Sequence, residues 1–306
     1  MASKWKSGGP RICAASRVSI PGLPANVTQT LSPELGENAD WRVALGGVTT
    51  VVHTAARVHQ MHDKAADPLA EFRAVNTLGT LALARQAAAS GTQRFVFVSS
   101  IKVNGEETSP GAPFAADDPP SPRDPYGISK SEAEIALREL GRETGMEIVI
   151  VRPVLVYGNG VGGNFLTMLR WVARELPLPL GSVHNLRSIV ARANLADLLA
   201  TCVVHPAAAN DIFLVSDDED ISTTELIRRL AAGMGKRARL IPVHPAALSA
   251  AARIAGKKDV AHRLLSSLQV DISKTRRILG WSPPVSSSMA LAETAREFLR
   301  ESGDSH

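Results

Sequence analysis

Along the first half of the chain, short β-branched apolar runs alternate with Ala-rich stretches of helical spacing. That alternation predicts parallel strands joined by crossover helices. Arg11–Ser16 and Val48–His53 read as strands, and Phe95–Ser99 and Ile148–Val151 are apolar enough to be buried on both faces of a sheet. Between them, Glu71–Ser90 carries Phe72, Val75, Leu78, Leu81, Leu83 and Ala84 at helical spacing, and Ser131–Arg142 carries Ala133, Ala136, Leu137 and Leu140. A further strand, Ile212–Val215, ends in the acidic turn Asp217–Asp220, and Ser222-Thr223-Thr224-Glu225 is a capping box for the next helix. From there the chain becomes mostly helical, over Thr223–Gly235, Pro245–Ala255, Asp259–Leu268 and Met289–Arg300. The pattern predicts an α/β fold, a doubly wound parallel sheet followed by a smaller helical cap. Pro110–Pro125 reads as a long surface loop and Gly303–His306 as a frayed tail.

Composition narrows the function classes. With 306 residues, 44% apolar and 21% charged, the chain suits one large domain or a domain plus a cap. Its net charge is only +4 and no basic run stands out, which argues against a nucleic-acid or polybasic membrane binder. No apolar run approaches a membrane span and Met1–Pro10 lacks the apolar core of a signal peptide, so the expected address is the cytoplasm. Cys13 and Cys202 fit neither a disulfide scaffold nor a zinc spacing. Only two tyrosines occur, Tyr126 and Tyr157, which makes each position informative.

Tyr126-Gly127-Ile128-Ser129-Lys130 opens a helix and sets Tyr126 and Lys130 on one face, four residues apart. A phenol titrates near pH 10, so using its phenolate near neutrality needs roughly 4 kcal/mol of stabilisation, part of which a nearby ammonium supplies. Tyr-x-x-x-Lys alone is common on solvated helices. It gains weight from Ser99-Ser100 at the carboxyl end of a buried strand, where doubly wound folds bind ligands, and from the later strand leading into Arg152-Pro153.

Taken with His53-Thr54-Ala55-Ala56-Arg57, Asn76, Ser99 to Gly105, Asp124 to Lys130, Val156-Tyr157-Gly158, Asn164-Phe165-Leu166, Arg187-Ser188 and Asn194 to Asp197, the chain resembles the extended short-chain dehydrogenase/reductase superfamily. The likeness is to its epimerase/dehydratase branch, spans about Arg11 to Leu299, and is nearest the subgroup acting in bacterial polysaccharide synthesis. The resemblance implies a Rossmann-like sheet missing its first strand, built from residues 1–157 and about 188–215, with a substrate cap from about 158–187 and 216–306. It implies catalysis by Ser100, Tyr126 and Lys130. Ser100 would hold the sugar oxygen, Tyr126 would move its proton, and Lys130 would lower the tyrosine pKa and bind the nicotinamide ribose. NAD or NADP would lie along Ala55, Ala56, Asn76 and Ser99, with Arg17, Glu34 and Leu35 at the adenosine end and Pro153 and Val154 near the nicotinamide. Ser100, Lys102, Asn164 and Arg187 would contact a UDP-sugar, with hydride transfer at sugar C4. A homodimer, no nucleic-acid partner and no metal complete the implied picture.

The chain also departs from that family. A first strand, glycine turn and helix take on the order of 25 to 30 residues, yet only ten precede Arg11, so weak dinucleotide binding and an exposed sheet edge are expected. Gly158–Gly163 spells G-x-G-x-x-G but follows the wrong strand, lacks an acid roughly 20 residues on, and reads as a substrate-side loop. Arg17 tilts the cofactor choice toward NADP. Asn104 stands where many epimerases carry Tyr, and Ala191-Arg192-Ala193 replaces the usual Tyr/His-Val-Asp. His53, His59, His62 and Asp63 suggest a metal set, but a strand-end histidine and two loop histidines are the simpler account. Tyr157 is expected to be structural. The competing activities are a C4 epimerase, a 4-ketoreductase, and an inactive sugar-nucleotide-binding remnant. A 4,6-dehydratase is disfavoured because Ser100-Ile101-Lys102 lacks the Asp-Glu pair that eliminates water.

Overall fold

Strand alternation builds the centre of the molecule. In the computed structural model, which describes residues 11–58, 66–109, 111–256 and 258–303, four parallel strands pair in the order β3 (Thr50–His53), β4 (Arg94–Val98), β5 (Glu147–Pro153) and β8 (Ile212–Val215). Phe95, Phe97, Ile148 and Ile150 join one apolar cluster, whereas Val96, Val149 and Val151 join another. Period-two side chains thus feed a core on each face of the sheet, as a doubly wound fold requires. Two smaller strands, β1 (Ile12–Ser16) and β2 (Val27–Leu31), pair in parallel as a separate sheet. Among the described residues no strand pairs with β1 on the side away from β2, or with β3 on the side away from β4.

Helices cover the first face. The short α1 (Arg42–Leu45) precedes α2, a continuous helix formed by Pro68–Phe72, a π-helical Arg73–Gly79 and Thr80–Ala89. Asp67 caps α2, accepting from the Ala70 N–H at 3.0 Å, so the helix starts earlier than its apolar spacing suggests. Then α3 (Pro125–Thr144) packs Ala133, Leu137 and Leu140 onto Phe95, Phe97 and Ile148. Gly141 permits the approach, since a Cβ there would lie 2.7 Å from Ile148 Cγ1 and 2.9 Å from the Met146 carbonyl oxygen. The β1–β2 sheet is tied to α2 by its following loop. Gln86 accepts from the Trp41 N–H and donates to the Ala39 carbonyl, and Leu35 and Gly36 pack against Gly79.

The opposite face carries α5 (Arg192–Val204), after the intervening strands β6 (Leu155–Tyr157) and β7 (Arg187–Ala191) and helix α4 (Gly163–Ala173). The strands β6 and β7, with β9 (Asp220–Ile221), form a small sheet beside a third apolar cluster. That cluster joins Phe165 and Leu169 of α4 to Ile227 and Leu230 of α6 (Thr223–Gly233) and to Leu291 and Ala295 of α10 (Ser287–Gly303). Three more helices, α7 (Pro245–Ile254), α8 (Lys258–Leu265) and α9 (Ser273–Leu279), complete the C-terminal third.

Several elements differ from the sequence pattern. β2 and β9 had no apolar run to reveal them, and β6 and β7 offer only the short runs Leu155–Tyr157 and Ile189–Ala191. The helix read as reaching Leu268 stops at Leu265, because Leu268 leaves to bridge Arg187. Among the described residues no helix is long and apolar enough to cross a membrane.

Candidate active site

Chemistry-bearing groups gather where β4 and β5 end. Beyond β4, the Ser99 N–H donates to Val151 at 2.7 Å, carrying the sheet pairing one residue further. Ser100 then starts a tight turn through Val103, its hydroxyl accepting from the Lys102 N–H at 3.2 Å. Asp124 caps α3 by accepting from the Gly127 N–H at 2.7 Å, and Pro125 begins the helix, so Tyr126 sits in its first turn. A Cβ at Gly127 would lie 2.8 Å from the Lys102 carbonyl, so only glycine lets the helix start press against the Ser100 turn. Lys102 closes the join from the other side by pairing with Asp124. Its Glu106 contact at 3.6 Å adds a second carboxylate, and the lysine expected on substrate instead ties the serine turn to the tyrosine helix.

Burial pushes the Tyr126 phenol up to about 12, a rise that the nearby Ser100 hydroxyl offsets in part and the Asp124 charge reinforces. The lowering expected from Lys130 is not among the influences on the phenol, where burial dominates. Tyr126 also meets Phe72 edge-on at 6.0 Å, and the Arg57 guanidinium lies 5.7 Å from that ring's centre.

Lys130 is almost wholly buried, with Nζ 3.9 Å from the Phe97 ring centre. Burial lowers the lysine to about 7, while Glu134 on the following turn acts in the opposite direction. Around Glu134 is a closed polar set. Arg152 donates to both its oxygens at 2.9 and 2.6 Å, Ser99 donates to Oε1 at 2.5 Å, and Arg152 also donates to Asn104 Oδ1 at 2.9 Å. Ser99, Glu134, Arg152 and Asn104 are all buried. Sequence reasoning assigned neither Glu134 nor Arg152 a role, although a carboxylate four residues beyond Lys130, on the face that carries Leu137, was the available signal.

The residues expected along a dinucleotide fall into two groups. Ala55 is exposed and Ala56 half-buried, so the segment after β3 is open to a ligand. Asn76, by contrast, is fully buried and acts as a clamp, accepting from the Arg57 N–H at 2.8 Å and donating to Arg57 O and Ser129 Oγ at 3.1 Å each. Asn76 and Ser99 thus spend their polar atoms on the protein. Leu35 packs on the apolar core, and Val154 and Pro153 are buried. Exposed Arg17 and Glu34 face each other at 3.7 Å beyond the ends of β1 and β2. Further along the chain, Asn164 is exposed in the first turn of α4. Arg187 opens β7 and donates to the Arg263 and Ser266 carbonyls at 3.0 and 3.1 Å. The glycine loop Gly158–Gly163 leads into α4, and Arg192 fastens it by donating to the Asn159 carbonyl at 2.6 Å.

Tyr157 has the structural part expected of it. It donates to Asp217 at 2.6 Å, and Asp217 also accepts from the Ala191 N–H and from Asn194. This buried clasp joins β6, α5 and the turn after β8. A cavity of about 490 Å³ lined by Ser182, Val183, His184, Asn185, His244, Pro245 and Leu265 shares no lining residue with the Ser100–Tyr126 cluster.

His53 is buried, stacked on Phe97 at 5.9 Å and hydrogen-bonded to Thr80 at 3.0 Å. His59, His62 and Asp63 lie outside the described residues, and no metal-holding group of His, Cys, Asp and Glu occurs among the described ones. Burial, aided by the Lys130 charge, lowers His53 to about 3. The unfolded histidine takes a proton below about pH 6.5 that the folded one refuses. Stability from this group is full above that pH and is lost as the pH falls toward 3, with a limiting slope of about 1.4 kcal/mol per unit. Urea unfolding at pH 7.5 and 5.0 should show a larger drop for the parent than for His53→Gln. Equal drops would exclude this account.

Comparison with known proteins agrees with this geometry. The model of the NAD dependent epimerase/dehydratase family matches residues 22–216. A UDP-glucose 4-epimerase of Vibrio cholerae is 47% identical over 268 residues, covering 87% of this chain and 82% of the relative. Among solved structures, UDP-glucose 4-epimerase from Thermotoga maritima with UDP-glucose superposes with a TM-score of 0.74 at 19% identity, over 98% of this chain and 94% of the other. UDP-glucuronic acid 4-epimerase from Bacillus cereus in complex with NAD gives 0.72 at 19% identity, over 90% and 82%. Its sequence over most of its length, and a serine, tyrosine and lysine gathered at the strand ends, place the chain in the NAD dependent epimerase/dehydratase family.

Proposed function

We propose that this protein interconverts the C4 epimers of a UDP-hexose or UDP-N-acetylhexosamine, using NAD. The observation that carries the proposal is the Ser100 turn at the carboxyl end of β4 pressed against the helix start that holds Tyr126, with Lys130 buried one helical turn further. The 47% identity to a UDP-glucose 4-epimerase directs that general alcohol chemistry to a sugar nucleotide. NAD suits the residues at both ends of its expected path. Ser100, Tyr126 and Lys130 cluster at one end, and Ala55 lies open after β3. Arg17 and Glu34 lie at the other, where the Glu34 carboxylate, 3.7 Å from Arg17, offsets the arginine's attraction for the extra phosphate of NADP.

When bound, NAD supplies the acceptor for a hydride from C4 and returns it to the opposite face. The chain's own residues manage the C4 oxygen and its proton. Ser100, fixed by its turn, donates a hydrogen bond to that oxygen and holds it beside the phenol. Tyr126 receives the hydroxyl proton as C4 is oxidised and gives it back as C4 is reduced. A phenol held near 12 is fully protonated at neutral pH, and it becomes a base only where positive charge supports its phenolate. Lys130, the buried cation of the same helix, is placed to supply that support. Asn164 and Arg187 would face the nucleotide diphosphate.

Proton NMR of the 306-residue protein with NAD and either UDP-glucose or UDP-N-acetylglucosamine should show the galacto epimer growing to a fixed ratio without net NADH. Net consumption of NADH on a 4-keto sugar nucleotide, with no epimer formed, would indicate a ketoreductase instead. No turnover of any of these would refute an active enzyme.

A further inference from the structure

We propose that Glu134 is a positioning residue for the reaction, pinned by Arg152 so that its charge keeps Lys130 an ammonium while its oxygens stay off the lysine. The inference rests on the role given to Lys130 in the proposed epimerisation, but its physical content can be measured without substrate.

The geometry is that of two turns of one helix. Lys130 and Glu134 are four residues apart on α3, a spacing that brings side chains within about 6 Å, and both are buried. A buried ammonium beside a buried carboxylate would ordinarily collapse into a direct ion pair. That pairing would draw the lysine down the helix, away from Tyr126 on the preceding turn. Here both Glu134 oxygens are already occupied. Arg152 Nε and Nη2 hold them as a two-pronged pair, and Ser99 adds a third donor to Oε1. None of these bonds goes to Lys130, whose Nζ packs instead over Phe97 at 3.9 Å. Glu134 therefore acts on Lys130 through space. Arg152 is anchored in turn by Asn104, and Asn104 by the Ala115 carbonyl at 3.0 Å, so the carboxylate is fixed from the strand side as well as from its helix.

Other charged and titratable groups around Lys130 do not replace this contribution. His53 of β3 is neutral, Arg152 of β5 repels the lysine, and Tyr126 on α3 carries no charge at neutral pH. The lysine's tendency to lose its proton on burial is opposed by Glu134. At about 6 Å and an effective dielectric near 20, one unit charge moves a titration by about one to two pH units. Removing the negative charge shifts Lys130 downward, so the ammonium is lost at lower pH and the alkaline limb of the rate profile moves the same way.

The test uses the intact, ligand-free protein labelled with ¹³Cε-lysine. One lysine resonance should titrate near neutrality and be missing in Lys130→Met. In Glu134→Gln its midpoint should fall by about one unit or more, and the alkaline limb of the kcat profile should fall with it. Should Glu134→Gln fail to fold, the double variant Glu134→Leu/Arg152→Met removes the pair without stranding either charge and should still shift the midpoint downward, by less than the single variant because the opposing Arg152 charge leaves with it. A midpoint within 0.2 unit of the parent in a folded variant overturns the proposal. Epimerisation by the parent with an unmoved midpoint rejects this role for Glu134 and leaves the proposed function standing. A moved midpoint in a protein that epimerises nothing does the reverse.

Discussion

Tyr126→Phe should lower kcat for C4 epimerisation by about 10² to 10⁴-fold, with the urea midpoint close to that of the parent. Tyr126 is half-buried in the first turn of α3, where its ring meets Phe72 and its hydroxyl meets Ser100. Phenylalanine keeps the ring contact and the helix start, and removes only the oxygen that carries the proton. Ser100 retains the Lys102 N–H. The nearest other phenol is no substitute, because Tyr157 is committed to Asp217 in the clasp between β6 and the turn after β8. Substrate affinity should change little, so the loss should fall on kcat and leave KM within a few-fold. Activity of Tyr126→Phe within tenfold of the parent would show that another group moves the proton. A matching collapse in stability would show that the residue is structural.

The sequence made the central sheet legible because its strands are buried on both faces. Phe95–Ser99 and Ile148–Val151 are continuous apolar runs, and their neighbouring helices repeat Leu and Ala at helical spacing, so element type followed from composition and period alone. β2 and β7 were hidden for the converse reason. Their residues are half polar, and they are strands only because a neighbour supplies the ladder. The site divides in the same way. Ser100, Tyr126 and Lys130 were visible as residue types at fixed offsets, and the fold brings them to one strand end. Lys102, Asn76, Ser99 and Leu35 lie in the expected neighbourhood and also have partners within the protein, as helix clamp, loop clamp, carboxylate partner and packing residue. Offsets along a chain give proximity. Only three-dimensional contacts show whether a polar atom is still available to a ligand. Glu134 and Arg152 illustrate the limit, since their pairing depends on α3 crossing β5 and no sequence spacing encodes it.

Arg152→Met should be the most destabilising single change among the polar residues near the site, by about 3 to 5 kcal/mol at pH 7.5. Methionine fills much of the arginine's volume, so the loss is not chiefly one of packing. It comes from the partners left behind. Glu134 loses both charge-assisted bonds in a buried setting and keeps the Ser99 hydroxyl and the partly compensating Lys130 charge, while Asn104 Oδ1 loses its donor. Lowering the pH lets the stranded carboxyl take up a proton and shed its buried charge. In the unfolded chain that group stays ionised until the pH nears the ordinary carboxylate range, so the folded variant binds more protons there and gains stability as the pH falls. The deficit relative to the parent should therefore narrow between pH 7.5 and 5.0. Glu134→Leu/Arg152→Met, which removes both charges, should recover most of the loss at pH 7.5, because a buried ion pair replaced by apolar groups is often close to neutral. Urea denaturation of the three proteins at the two pH values measures all of this. If Arg152→Met costs under about 1 kcal/mol at pH 7.5, or if the double variant is no more stable than the single one, the pair is not the buried charge couple that the contacts describe.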